Sequence, residues 1–326
     1  QETFRIRRQK ETVDYLLAGA ARVAMVAHIS AVKSFTGIVG EIGTILGHDI
    51  KPLYDLSEIA DGWADSNLAL LDNIRRWPGE EANDPEFAKQ LAQGVNLYVN
   101  NAFAVCHREH ASVSAVAREL PAYAGFLVAQ ETTTLTRVLD APAQGKIVII
   151  GGAKAETKVS VIKNLLDKTE RILVGGVIAN DIVKARGGDV GASVVDEHPE
   201  TLLAGVDLNS SQLMVPEDFV VFDKGFWDIG PQAMRKFLNV VRQARLIIWN
   251  GPLGKFEDMR FAAATDALAQ TIVASEAFSV IGGGDTIAAV DRLGLLDRFG
   301  FVSTGGGAML AFLAGQELPG LVALQK

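Results

Sequence analysis

The sequence predicts a two-domain α/β protein with parallel sheets, and three observations predict it. Short apolar runs, most of them rich in β-branched residues, alternate with helical patterns along the whole chain. Glycines follow several of these runs, at the points where a helix would begin. The length, 326 residues with 48% hydrophobic content, fits about two domains with a core each. Continuous apolar strands imply sheets covered by helices on both faces, with ligands beyond the carboxyl ends of the strands.

In chain order, strands are expected at 22–28, 67–71, 97–99, 146–150, 171–174, 219–222, 246–249, 278–281 and 300–303. Helical spacing recurs between them, as at 161–166 and 231–241. After Pro121 a helical stretch from Ala122 to about Leu139 carries no strand pattern, and APAQG then restarts the alternation. That stretch reads as a connecting helix between two α/β domains. The chain shows no internal repeat and no low-complexity segment.

Composition narrows the function. A net charge of −8 argues against a nucleic-acid partner. No apolar stretch is both long and uncharged enough to span a membrane, and no signal peptide is visible. The single cysteine, Cys106, cannot form an internal disulfide, so a reducing cytoplasm is expected. The chain opens with Gln1 rather than Met, which fits a fragment or a processed or trimmed chain.

The glycine loops carry the chemistry. FSVIGGGDT runs from an apolar strand through Gly282, Gly283 and Gly284 to Asp285 and Thr286, and STGGGA repeats the device after Ser303. Glycines at a strand-to-helix junction allow close backbone approach, and the free N–H groups with the helix dipole favour an anion. Two such junctions, with Asp285 placed to serve a metal, suggest a polyphosphate; the alternative is two tight turns without a ligand. IIGGAKAETK sets Lys154 and Lys158 four apart, on one helix face if the helix starts near Ala153. VGGVIAN and IIWNGPLGKFE are further strand-glycine junctions, the second ending in Glu257, a carboxylate suited to a ribose. There is no P-loop, no clean dinucleotide fingerprint and no nucleophile elbow. In the N-terminal half Arg5, Arg7 and Arg8 open the chain, His28 ends an expected strand, and Arg75, Arg76, His107, Arg108 and His110 follow expected strands. They could clamp phosphate and carboxylate groups in one crevice; taken singly, each arginine reads rather as a solvated charge and each histidine of CHREH rather as a satisfied loop residue than as a metal ligand.

These motifs stand in an order that resembles the phosphoglycerate kinase family over nearly the whole chain. IIGGAKAETK, DIGP, WNGPLGKFE, IGGGDT, STGGGA and ELPG resemble its C-terminal motifs. LLDNIRRW, NDPEFAKQLA, YVNNAFAVCHREHAS and AGFLVAQE resemble its N-terminal segments. The resemblance implies two Rossmann-like three-layer domains with parallel sheets joined by a hinge helix. The N-terminal, 3-phosphoglycerate-binding domain would span 1–125, the helix 126–142 and the nucleotide domain 143–312, with a tail, 313–326, returning to the N-terminal domain. It implies reversible phosphoryl transfer from 1,3-bisphosphoglycerate to ADP, with Mg2+, in a cytoplasmic monomer. Carried over by motif, Arg5 and Lys154 would act on the transferring phosphoryl group. His28, Arg75 and Arg108, with Arg5, would bind the glycerate. Lys158, Asn250, Pro252, Glu257, Gly282, Gly283, Gly284, Asp285 and Thr286 would surround the nucleotide, Asp285 on the metal, and Gly151 and Gly176 would line the adenine pocket.

The departures cluster on the glycerate side. The family's first strand and its Asp–x–Asn loop would precede Gln1. The family's His-Leu-Gly-Arg-Pro reads HISAV, which puts Ala31 at the arginine position, and Lys33 or Arg76 are the candidates to replace it. NAFAV replaces the family's Asp-Ala-Phe-Gly-Thr, Lys255 stands where a small apolar residue is usual, and Val177 where a third glycine is common. Two other readings stay open: a nucleotide-binding relative with weak or no activity, and an enzyme acting on another acid.

Overall fold

The computed structural model describes residues 2–19 and 21–325; Gln1, Ala20 and Lys326 lie outside. Two compact units result: Gln1–Thr133 with Glu317–Lys326, and Thr134–Gln316. The helix Phe126–Asp140 begins in the first and ends in the second.

In the first unit β1 (Val23–Met25), β2 (Lys51–Leu53) and β3 (Leu68–Leu71) form a parallel sheet in the order β1-β3-β2. The central β3 is buried throughout. Ala69 and Leu71 pack with Ile74, Phe87, Leu91 and Val116, whereas Leu70 joins Phe35, Ile42 and Leu46. Residues alternating along one strand thus serve two cores, as the period of two requires. A separate parallel pair holds β4 (Tyr98–Asn100) and β5 (Ala122–Ala124).

The expected helix from Ala122 is corrected here. Ala122–Ala124 pairs with Tyr98–Asn100, the helix starts only at Phe126, and it ends at Asp140 rather than 142. Thr12 Oγ1 and Asn101 Oδ1 accept the N–H groups of Phe126 and Leu127, both at 3.0 Å, which satisfies the first turn.

The second unit is built on one six-stranded parallel sheet. Its strands are β6 (Lys146–Ile150), β7 (Arg171–Val174), β8 (Leu213–Met214), β11 (Leu246–Asn250), β12 (Phe278–Gly282) and β13 (Phe301–Val302), in the order β13-β12-β11-β6-β7-β8. Ile147, Ile149, Ile247, Trp249 and Ile281 face the helices Pro231–Arg242 and Ala263–Ala274 through Phe237, Val241, Leu268 and Ile272. Val148, Ile150, Ile248 and Val280 point the other way and are equally buried, so both faces are covered. The Phe219–Phe222 run is not part of this sheet. It is β9 of an antiparallel hairpin with β10 (Gly225–Ile229), closed by Asp223 and Lys224 at φ 46° and 60°.

Unequal edges give an expected result. Among the described residues β1 pairs only with β3, and β4 only with β5, whereas β6 and β11 pair on both sides. Amides of Val23–Met25 and Tyr98–Asn100 should exchange with deuterium faster than those of Ile147–Ile150 and Ile247–Asn250, because fewer ladder bonds hold them. Equal protection in a native-state exchange experiment would contradict this reading of the edges.

Candidate active site

In the second unit the parallel register builds the site. Asn250 lies opposite Ile150 on one side and Gly282 on the other, and Val174 lies opposite Ile150. The loops that follow these four strands therefore leave the sheet at one level. The chain runs β6-β7-β8 to one side and β11-β12-β13 to the other, so a topological switch point lies between β6 and β11, the position where such sheets open a ligand crevice.

The loops interlock by backbone contact. Gly152 N–H donates to Pro252 O at 2.7 Å, Gly176 N–H to Leu253 O at 2.9 Å, and Val177 N–H to Gly152 O at 3.0 Å. A Cβ on Gly151 would stand 2.0 Å from Pro252 O, and one on Gly176 2.6 Å from Gly152 N. Gly251, at φ 93°, has no room for a side chain against Gly151 O. Gly151, Gly176 and Pro252 are thus fixed by packing between loops. Thr286 is fully buried, and its hydroxyl accepts the Gly251 N–H at 2.7 Å. It ties two loops together from beneath. Gly282 is buried against Met309.

Gly283 turns at φ 98° into the helix Gly284–Arg292. Asn250 is 5% exposed and its Nδ2 has no hydrogen-bond partner; a Cβ on Gly283 would lie 3.1 Å from it. A buried amide donor left unmade is costly, and here it stands beside a helix N-terminus. Lys158 is 6% exposed and folds over Gly152. Burial pulls its ammonium down to about 8, with the Asp285 charge opposing and the Lys154 charge adding to the fall. Lys154, Lys158 and Asp285 therefore share one electrostatic neighbourhood. The helix starts at Glu156, so Lys154 lies in the loop before it, and the expected shared helix face is corrected.

Glu257 is exposed at the end of a braced loop. Leu253 N–H donates to Thr265 Oγ1 at 3.1 Å and Lys255 N–H to Trp227 O at 2.9 Å, while the Lys255 ammonium sits 4.5 Å from the Trp227 ring. Asp228, 4% exposed, accepts the N–H groups of Ile229 at 2.8 Å and Ala264 at 3.1 Å and packs on Gly254. Burial pushes its carboxyl up to about 6. DIGP was legible as a motif; the bracing role of its aspartate was not.

In the first unit the cations converge. Burial pulls the His28 imidazole down to about 4, and the charges of Arg75, Arg108, His110 and Arg5 add to the fall. All four thus act on His28. Arg75 Nη2 lies 3.4 Å from His110 Nδ1 and its guanidinium pairs with Glu81, yet its buried Nε has no partner. Glu80, buried, accepts the Ser112 N–H and hydroxyl at 2.8 and 2.7 Å and lies 3.9 Å from His110. Ala31 is exposed. Arg76 is turned elsewhere: it pairs with the buried Asp72 and lies 5.3 Å from the Trp77 ring. Lys33, the other candidate for the arginine position at Ala31, is exposed.

The second unit thus carries glycine loops, two lysines and an aspartate at the switch point of its sheet, and the first a group of arginines and histidines around His28. The family model described as phosphoglycerate kinase matches residues 1–316. A phosphoglycerate kinase of Moorella thermoacetica is 38% identical over 358 aligned residues, covering 99% of this chain and 91% of the relative. One of Rubrobacter xylanophilus is 39% identical, covering 98% and 90%. The structure of phosphoglycerate kinase from Coxiella burnetii superimposes with a TM-score of 0.82 at 32% identity, over 97% of this chain and 89% of that one. That from Pyrococcus horikoshii OT3 gives 0.86 at 29% identity, over 98% and 90%. The chain belongs to the phosphoglycerate kinase family, and its reaction is that family's phosphoryl transfer between 1,3-bisphosphoglycerate and ADP.

Proposed function

We infer that the second unit binds Mg-ADP or Mg-ATP at the β6/β11 switch point and that the first binds the glycerate at the His28 cluster. The observation that carries the nucleotide assignment is the unpartnered Asn250 amide at the start of the Gly284–Arg292 helix, with Lys158 and Asp285 beside it. Asn250 and the helix N–H groups meet phosphate oxygens, Lys158 supplies their counter-charge, and Glu257 takes the ribose. Gly151, Gly176 and Pro252 hold the loop walls in place. The donor set suits magnesium brought with a nucleotide. Among the described residues no group of three or more His, Cys, Asp or Glu could cage a metal, so Asp285 would be the protein ligand and phosphate oxygens and water the rest. The ion would neutralise charge on the phosphates. His28, Arg75 and Arg108 hold the glycerate phosphate and carboxylate, and Lys154 with Arg5 stabilises the phosphoryl group in transfer. A reducing, cytoplasmic compartment fits the single cysteine, Cys106, which is free and buried.

Titration calorimetry with Mg-ADP tests the nucleotide site through Lys158. Phosphate favours the protonated amine, which the free protein loses as pH rises through about 8. Affinity should be level below that pH and fall above it, by up to about tenfold per pH unit. Lys158→Gln should bind weakly at every pH without that slope. A wild-type affinity that stays level from pH 7 to 9.5 would place the phosphates elsewhere.

A further inference from the structure

The loop that carries His28 is held in shape by a side chain 41 to 44 positions away in sequence. Asn73, two residues past the end of β3, is 2% exposed. Its amide donates one proton to Ile29 O at 2.9 Å and the other to Val32 O at 2.7 Å, so it brackets Ser30 and Ala31. Its Oδ1 accepts the Arg75 N–H at 3.2 Å. One amide therefore spends its donors on the His28 loop and its acceptor on the backbone of Arg75. Its neighbours work in the same direction: Asp72 Oδ1 accepts the Phe35 N–H at 2.5 Å, and Ile74 N–H donates to Ala27 O at 3.1 Å. Within the loop itself Val32 N–H reaches Ile29 O only at 3.3 Å. Residues 28–35 contain neither glycine nor proline to fix a turn. The loop's backbone bonds thus run mainly to the turn that also carries Arg75, while Ile29, Val32 and Phe35 pack in the core around Leu70.

We propose that Asn73 is a positioning residue for glycerate binding, one that sets the spacing between His28 and the Arg75 backbone. Asn73 need not touch the substrate. It locks two groups that do, on elements otherwise joined by few bonds, and misplacement of such groups by about 1 Å costs up to about 10²-fold. The proposal rests on the assignment of the glycerate to the His28 cluster.

The experiment measures dissociation constants for 3-phosphoglycerate and Mg-ADP on the full chain, with steady-state kcat and KM for both substrates. Asn73→Ala should weaken 3-phosphoglycerate binding by about 10–10²-fold. Mg-ADP affinity should stay within about twofold, because Asn73 lies in the other unit. Asn73→Asp keeps the shape and the acceptor for Arg75 but loses both donors, so it should be at least as weak as the alanine variant. Wild-type 3-phosphoglycerate affinity in either variant overturns the proposal. So does equal weakening of both ligands, or loss of folding in both variants, since each marks a merely structural role. Arg108→Ala separates this from the site assignment. If Arg108→Ala leaves 3-phosphoglycerate affinity unchanged, the site itself is misplaced; if it weakens binding while Asn73→Ala does not, only the positioning role fails.

Discussion

Lys154→Ala should lower kcat by about 10²–10³-fold with little change in the KM for nucleotide. Lys154 is exposed on the loop between β6 and the Glu156–Leu165 helix, and its charge reaches Lys158 beside Asp285. Lys158 is the buried cation that a bound phosphate would neutralise in the ground state. Lys154, outside the helix and in solvent, is free to meet charge that develops only as the phosphoryl group moves. An interaction made only in the transition state raises kcat without tightening substrate binding. The two lysines should therefore separate in steady-state kinetics: Lys158→Ala raises the nucleotide KM, and Lys154→Ala lowers kcat. A Lys154→Ala enzyme with unchanged kcat and a raised KM would exchange their roles.

Ala31→Arg should tighten 3-phosphoglycerate binding by about 10–10²-fold. A charge-assisted hydrogen bond to phosphate or carboxylate contributes about 1.5–3 kcal/mol. Arg76 is already paired with Asp72 and set by the Trp77 ring, which leaves Lys33 as the nearby cation that the added arginine would outdo. Ala31 is exposed between the two carbonyls that Asn73 holds, so a longer side chain meets no buried neighbour. Calorimetric titration of 3-phosphoglycerate into both proteins measures the change. Equal dissociation constants, with the wild-type chain already binding tightly, would show that Lys33 or another cation fills the place.

The two halves differed in how much their sequences disclosed. KIVII and FSVIG are runs of five ending at glycine, long enough to show a buried strand and its following turn, and both strands stand as expected. The first unit's strands have three or four residues; those at 22–28, 67–71 and 97–99 showed as apolar runs, and the other two did not. Lys51–Leu53, with a proline at its centre, and Ala122–Ala124 are strands only because a neighbour pairs with them. The hairpin partner Gly225–Ile229 was hidden in the same way: Asp223 and Lys224 make its turn in place of the usual glycine or asparagine. The site was legible as motifs and illegible as geometry. Gly151, Gly176 and Pro252 read as ligand contacts, yet the structure gives each a loop to pack against. Asn73 acts through two hydrogen bonds, and Asp228 through one, that reach residues about 36 to 44 positions away, and such bonds leave no local trace in a sequence.

The most direct test of the account is a coupled assay of ADP formation from Mg-ATP by this chain, with and without 3-phosphoglycerate. The account predicts ADP release that depends on 3-phosphoglycerate, saturates with both substrates and rises at subsaturating acid in Ala31→Arg. Mg-ATP binding without any ADP release dependent on 3-phosphoglycerate, in the wild type and in Ala31→Arg alike, would contradict it.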